Sequence, residues 1–183
     1  WASIERADVQ LRNAATPEGE WASAPTVRSV SVQAAANEEE IALRVTWHDP
    51  SREPAEGASA AGSSDALAVV LKPAGQEGDA VTLQAWPYQG APALDLHRWS
   101  AETSSASEMI ADHFTDGPGT ALSSDARYED GRWTVTLRRT LKPQEPAGAG
   151  IIHAEGLTGI AFVVWDGGAP GIRAVSPWIE LRL

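Results

Sequence analysis

Apolar residues recur with a period of two through much of this chain. In EIALRVTW (residues 40 to 47), Ile41, Leu43, Val45 and Trp47 fall on one face while Ala42, Arg44 and Thr46 fall on the other. That alternation predicts a half-buried strand. Residues 26 to 33, TVRSVSVQ, alternate less cleanly through Val27, Val30 and Val32. Asp65 to Lys72 (DALAVVLK) is an apolar run closed by Pro73, and residues 80 to 86 (AVTLQAW) give a further strand. In YEDGRWTVTLRR (residues 128 to 139) a turn at Asp130-Gly131 precedes Trp133, Val135 and Leu137, which alternate with Arg132, Thr134 and Arg138.

The C-terminal stretch carries the strongest strand signal. Ile160 to Trp165 is continuously apolar, too short for a typical helix, and bounded by the turn Asp166-Gly167-Gly168-Ala169-Pro170-Gly171. It predicts a buried strand with Trp165 in the core. Val175, Trp178 and Leu181 then spread along a second run that Ser176-Pro177 interrupts, as in a bulged or edge strand. A connection this short makes the two runs antiparallel neighbours.

One region breaks the rhythm. Leu94, Leu96 and Trp99 continue a strand, but Ala106, Met109, Ile110 and Phe114 fall at helical spacing and predict a short helix between Ala101 and Phe114. Residues 48 to 64 are rich in Pro, Glu, Gly, Ala and Ser and read as a long surface loop, and residues 141 to 156 as a Pro/Gly/Ala-rich connection. The expected class is all-β: a two-sheet antiparallel β-sandwich with one short helix, formed as a single domain over residues 1 to 183.

Composition narrows the function. A net charge of −11 without a basic run disfavours nucleic acid as a partner. No stretch has the length of a membrane span. Cysteine is absent, which removes disulfides, thiolate metal sites and Cys nucleophiles and suits either the cytoplasm or a bacterial periplasm. The first residue is Trp1 rather than Met, so a preceding segment is expected to have been removed.

Catalytic constellations are sparse. His48, His97, His113 and His153 lack close metal-ligand spacing and read as satisfied or exposed histidines. Ser176 lies in VSPW, not in a Gly-x-Ser-x-Gly turn. Asp49, Asp65 and Asp166 are strand-end acids of the kind that cap turns. The eight tryptophans are the unusual feature. Trp47, Trp133 and Trp165 sit in strand patterns and read as core, whereas Trp86 and Trp99 flank the irregular PYQGAPALDLH segment and are placed to line the cleft of a flat ligand.

The succession EIALRVTWHDP, SSDALAVVL, PYQGAPALDLHRW, YEDGRWTVTLRR, IAFVVWDG and RAVSPWIEL resembles, in order and over nearly the whole chain, the haem-binding γ-subunit family of ethylbenzene dehydrogenase, dimethylsulfide dehydrogenase, and selenate and chlorate reductases. The resemblance implies a β-sandwich and a periplasmic location. It also implies a place beside a molybdopterin catalytic subunit and an iron–sulfur subunit, with haem b passing electrons to an external carrier.

In that family a methionine and a lysine hold the haem iron. The resemblance places Gln89 at the methionine position and Arg173 at the lysine position. An amide is a poor iron ligand beside a thioether, and a guanidinium has no lone pair to donate. The single methionine, Met109, reads as core packing; Met109 with His153 or Lys142 would be the substitute pair. The expectation is therefore an accessory, non-catalytic γ-type subunit, for electron transfer or structure, without haem. The alternatives are a haem b subunit with substitute ligands and a carbohydrate-binding sandwich using Trp86 and Trp99.

Overall fold

The computed structural model describes residues 1–14, 26–53, 64–71, 94–111, 122–140, 157–169 and 172–182, and these residues form twelve strands. In chain order they are β1 (Ala7–Gln10), β2 (Arg12–Asn13), β3 (Ser29–Ala36), β4 (Glu40–His48), β5 (Ala66–Leu71) and β6 (Leu94–Ser100). After these come β7 (Ser105–Ala111), β8 (Leu122–Glu129), β9 (Arg132–Thr140), β10 (Leu157–Trp165), β11 (Arg173–Val175) and β12 (Ile179–Arg182). A five-stranded sheet has the order β1-β3-β4-β9-β8 and a seven-stranded sheet the order β2-β11-β10-β5-β6-β7, with β12 also paired to β10. Every pairing is antiparallel. The sandwich expected from the alternation is the fold found. Among the described residues no helix is long and apolar enough to cross a membrane.

The alternating strand β4 behaves as its pattern dictates: Ile41, Leu43, Val45 and Trp47 are buried and the residues between them are not. Its neighbour β9 pairs Val45 with Val135 and Trp47 with Trp133, so the two apolar rows coincide. Asp130 (φ 48°) and Gly131 (φ 69°) turn β8 into β9. Two consecutive residues at positive φ are what a two-residue type I′ hairpin needs.

The continuous runs in β5 and β10 have a different cause. All six residues of β5 are buried, because Leu67, Val69 and Leu71 face the other sheet while Ala68 and Val70 join a second apolar cluster on the outer face with Ala161, Val163, Val175 and Ala14. A strand covered on both sides has no polar face to alternate with. Along the other edge of β10, Ser176 fills the gap between β11 and β12: its N–H donates to the Phe162 carbonyl at 2.9 Å, and its Oγ accepts the Phe162 N–H at 2.9 Å. This is the interruption expected at Ser176-Pro177.

Two expectations are corrected. The helix between Ala101 and Phe114 is not present over its described residues: a turn at 101–104, with Ser104 at φ 52°, leads into β7, which pairs with β6 from Leu94↔Ala111 to Ser100↔Ser105. Local helical spacing lost to the chance of extending the sheet, where the segment pairs with β6 along its whole length. Trp165 is also not in the main core; it is half-buried against the outer cluster, with the Arg98 guanidinium 5.5 Å from its ring centre.

Candidate functional site

Three tryptophans from three strands meet between the sheets. Trp99 lies 4.8 Å edge-on to Trp133, Trp47 lies 6.2 Å from Trp133 in a stacked arrangement, and Trp47 and Trp99 are 6.4 Å apart. Trp99 is only 1% exposed, so the expectation that it lines a cleft is corrected. Its edge reaches a depression of about 310 Å³ shared with Arg52 and Tyr128, but no ring face is left for a ligand to stack on. Trp86, Gln89, Lys142 and His153 lie outside the described residues, as do His113 and the expected strand at 80 to 86.

Arg173 is 5% exposed on β11, opposite Trp165 in the register. Because Ala174 belongs to the inner core and Val175 to the outer cluster, strand alternation puts Arg173 on the outer face of the seven-stranded sheet. Met109 pairs with Leu96, which pairs with Val70, so its register row also belongs to that face. The two rows are four strands apart, however, and at about 4.8 Å per strand this is a backbone separation of roughly 20 Å.

His97 is on the opposite face. It is buried beside Arg139 from the other sheet, with Arg139 Nη1 3.0 Å from His97 Nε2. A guanidinium can only donate, so Nε2 accepts this bond and is not open to a metal. His48 is exposed at the far end of β4. The family resemblance implies haem b held by two neutral donors converging on one iron. Among the described residues no such pair converges on one point.

The structure does assemble three acids that sequence reading left apart. Asp49 follows β4, Asp65 precedes β5 and Asp166 follows β10, and one carboxylate oxygen from each lies within 4.8 Å of the others. Asp65 is fully buried and accepts three N–H bonds: from the Trp133 indole at 2.9 Å, from Glu53 at 2.7 Å and from Gly167 at 2.9 Å. Asp166 Oδ1 accepts the Gly168 N–H at 2.8 Å. Asp49 Oδ1 accepts the Ser51 N–H at 3.2 Å, and the Asp49 carbonyl accepts the Tyr128 hydroxyl at 2.9 Å.

Burial pushes the Asp49 carboxyl up to about 7; the nearby Asp65 and Asp166 push the same way, while the Ser51 N–H and the Trp47 indole oppose them. The indole favours the charge without completing a hydrogen bond to Oδ2, which is buried and has no hydrogen-bond partner. No ion pair to Arg or Lys reaches the trio among the described residues. Sequence spacing could not reveal the group, since its members are far apart in the chain; only the shared signal of an acid at a strand end marks them.

No family model matches this chain. A protein of Haloferax mediterranei named as a candidate respiratory nitrate reductase heme subunit, ORF7, is 25% identical over an alignment of 194 positions that covers 97% of this chain. The chain spans 64% of that relative's length. Among solved structures it is similar to a family 9 carbohydrate-binding module of Caldicellulosiruptor kristjanssonii in complex with cellotriose, at 13% identity and a TM-score of 0.56 over 97% of this chain and 74% of that one. The same module in complex with glucose gives a TM-score of 0.52, at 13% identity over 96% of this chain and 84% of that one. At this identity the likeness establishes the sandwich fold and nothing further.

Proposed function

We propose that this chain is an accessory, non-catalytic subunit of a periplasmic, molybdopterin-dependent respiratory oxidoreductase complex. The observation that supports it best is the match along 97% of the chain to the candidate heme subunit of a respiratory nitrate reductase. The ordered motifs from EIALRVTWHDP to RAVSPWIEL support the same reading through the γ-subunit family. On this reading the chemistry belongs to a molybdopterin subunit and electrons run through an iron–sulfur subunit, while this chain supplies a rigid body docked beside them. The carbohydrate reading loses one of its two tryptophans, because Trp99 is core.

The family's haem b is not held through Arg173, whose guanidinium has no lone pair to donate. The role proposed is therefore docking, not electron transfer through the family's axial pair. Mild isolation from the native source tests it. The expected result is co-elution with larger chains that carry molybdenum and iron in stoichiometric amounts. A lone chain of this size with turnover of its own would overturn the proposal.

A further inference from the structure

We propose that Asp49, Asp65 and Asp166 form the site of one divalent cation of the calcium class, which clips the end of β4 and the start of β5 to the end of β10. Two independent observations carry it. The first is convergence: three carboxylates from three segments place an oxygen each within 4.8 Å of one another, with Asp49 and Asp65 buried and Asp166 partly so. A cation with metal–oxygen bonds of roughly 2.3–2.6 Å spans oxygens so spaced with a small adjustment of the side chains.

The second is an orphan. Asp49 is 1% exposed, and its Oδ2 is shut off from solvent with no hydrogen-bond partner. A buried acceptor of this kind needs a partner, and the neighbouring Trp47 indole N–H, itself buried without a hydrogen bond, does not complete one. Asp65 does not supply that partner, since as a carboxylate it only accepts; it takes three N–H bonds and retains a fourth acceptor direction for an ion.

The donor set selects the cation. It consists of oxygen alone, which suits calcium or magnesium over zinc or copper. Further oxygens stand close by: a point one Cβ away from Gly168 is 3.1 Å from Asp166 Oδ1, 3.5 Å from Ser51 Oγ and 3.7 Å from Glu53 Oε1. Magnesium gives up its water reluctantly and prefers one or two carboxylates, whereas calcium accepts many protein oxygens in irregular geometry. A buried, oxygen-rich, three-carboxylate site is calcium's.

The position gives the cation a structural task. Asp49 ends a strand of one sheet; Asp65 and Asp166 flank paired strands of the other. One ion would tie the two sheets together at one end of the sandwich, directly against the Trp133 indole.

The test uses the full chain after exhaustive chelation, with terbium(III) as the probe and tryptophan excitation. Trp133, bonded to Asp65, is in place to sensitise a bound lanthanide. The expected result is sensitised emission that saturates at one ion per chain, displacement by calcium at lower concentration than by magnesium, and a thermal midpoint that rises with calcium. Asp166→Asn should weaken calcium binding by about tenfold or more, with the far-UV circular dichroism unchanged. Glu39→Gln, an exposed acid elsewhere, should leave binding as it was. Absence of saturable emission and of any calcium-dependent midpoint shift would overturn the site and leave a turned Trp47 indole as the partner of Oδ2. Equal weakening by Asp166→Asn and Glu39→Gln would also overturn it, as diffuse binding to an acidic surface. Should Asp166→Asn fail to fold, Asp49→Asn reads the same quantity.

Discussion

The Trp133 indole N–H donates to Asp65 Oδ2 at 2.9 Å, joining the aromatic centre of the sandwich to the acidic end of its second sheet. Both residues are buried, at 3% and 0% exposure, so neither group has water to fall back on. Trp133→Phe keeps most of the ring packing and removes the donor. Leaving a buried acceptor short of a partner costs about 1–3 kcal/mol. A denaturant titration should show that loss as a lower midpoint with an unchanged slope; an unchanged midpoint would mean that the Glu53 N–H alone satisfies this oxygen.

Tryptophan truncation should separate the two apolar clusters. Trp99 is fully enclosed between Trp133 and Trp47, so Trp99→Ala removes a large buried side chain at a cost of roughly 3–5 kcal/mol. Trp165 is half-buried under Arg98 on the outer face, and Trp165→Ala should cost distinctly less. Equal losses would place Trp165 in the core after all.

The β8–β9 turn offers a cleaner backbone test. Gly131 has φ 69°, and a Cβ there would meet only the Asp49 carbonyl at 3.5 Å and His48 Nε2 at 3.8 Å, ordinary contacts both. Sterics with neighbours therefore add little to Gly131→Ala, and the cost is the left-handed backbone itself, about 1–2 kcal/mol. A loss well beyond that would show that the turn carries more than hairpin geometry.

How much of this was legible in the sequence depends on how local the cause is. The β4 facing, the Asp130-Gly131 turn and the break at Ser176-Pro177 follow from alternation, φ preferences and proline's missing donor, which are properties of a few adjacent residues. The helix expected near Met109 failed because its spacing was a local coincidence, while β6 offered a full ladder of hydrogen bonds to β7. Trp165 was misassigned because a run buried on both faces gives no phase: Phe162 faces the main core and Val163 the outer cluster, and nothing in IAFVVW says which is which. The acid trio was invisible for a third reason. Asp49, Asp65 and Asp166 meet only through the stacking of two sheets, and strand order is not written in any one of the three segments.

The resemblance to the γ-subunit family implies an iron held between a methionine and a lysine, and it sets Gln89 and Arg173 at those positions. Loss of one ligand would leave a five-coordinate iron; with Arg173 also unable to donate, both axial bonds at the family position are gone. Arg173 is itself buried, opposite Trp165 in the register. Met109 sits in a register row four strands away and cannot serve the same iron as that position. On the accessory-subunit reading proposed above, the protein isolated from its native source should therefore show no b-type haem in stoichiometric proportion to this chain. The measurement is a reduced-minus-oxidised absorption spectrum against the pyridine haemochrome content of the same sample. A stoichiometric Soret band of low-spin character would sink the prediction, and loss of that band in Met109→Leu would then identify the thioether as the ligand that had taken over.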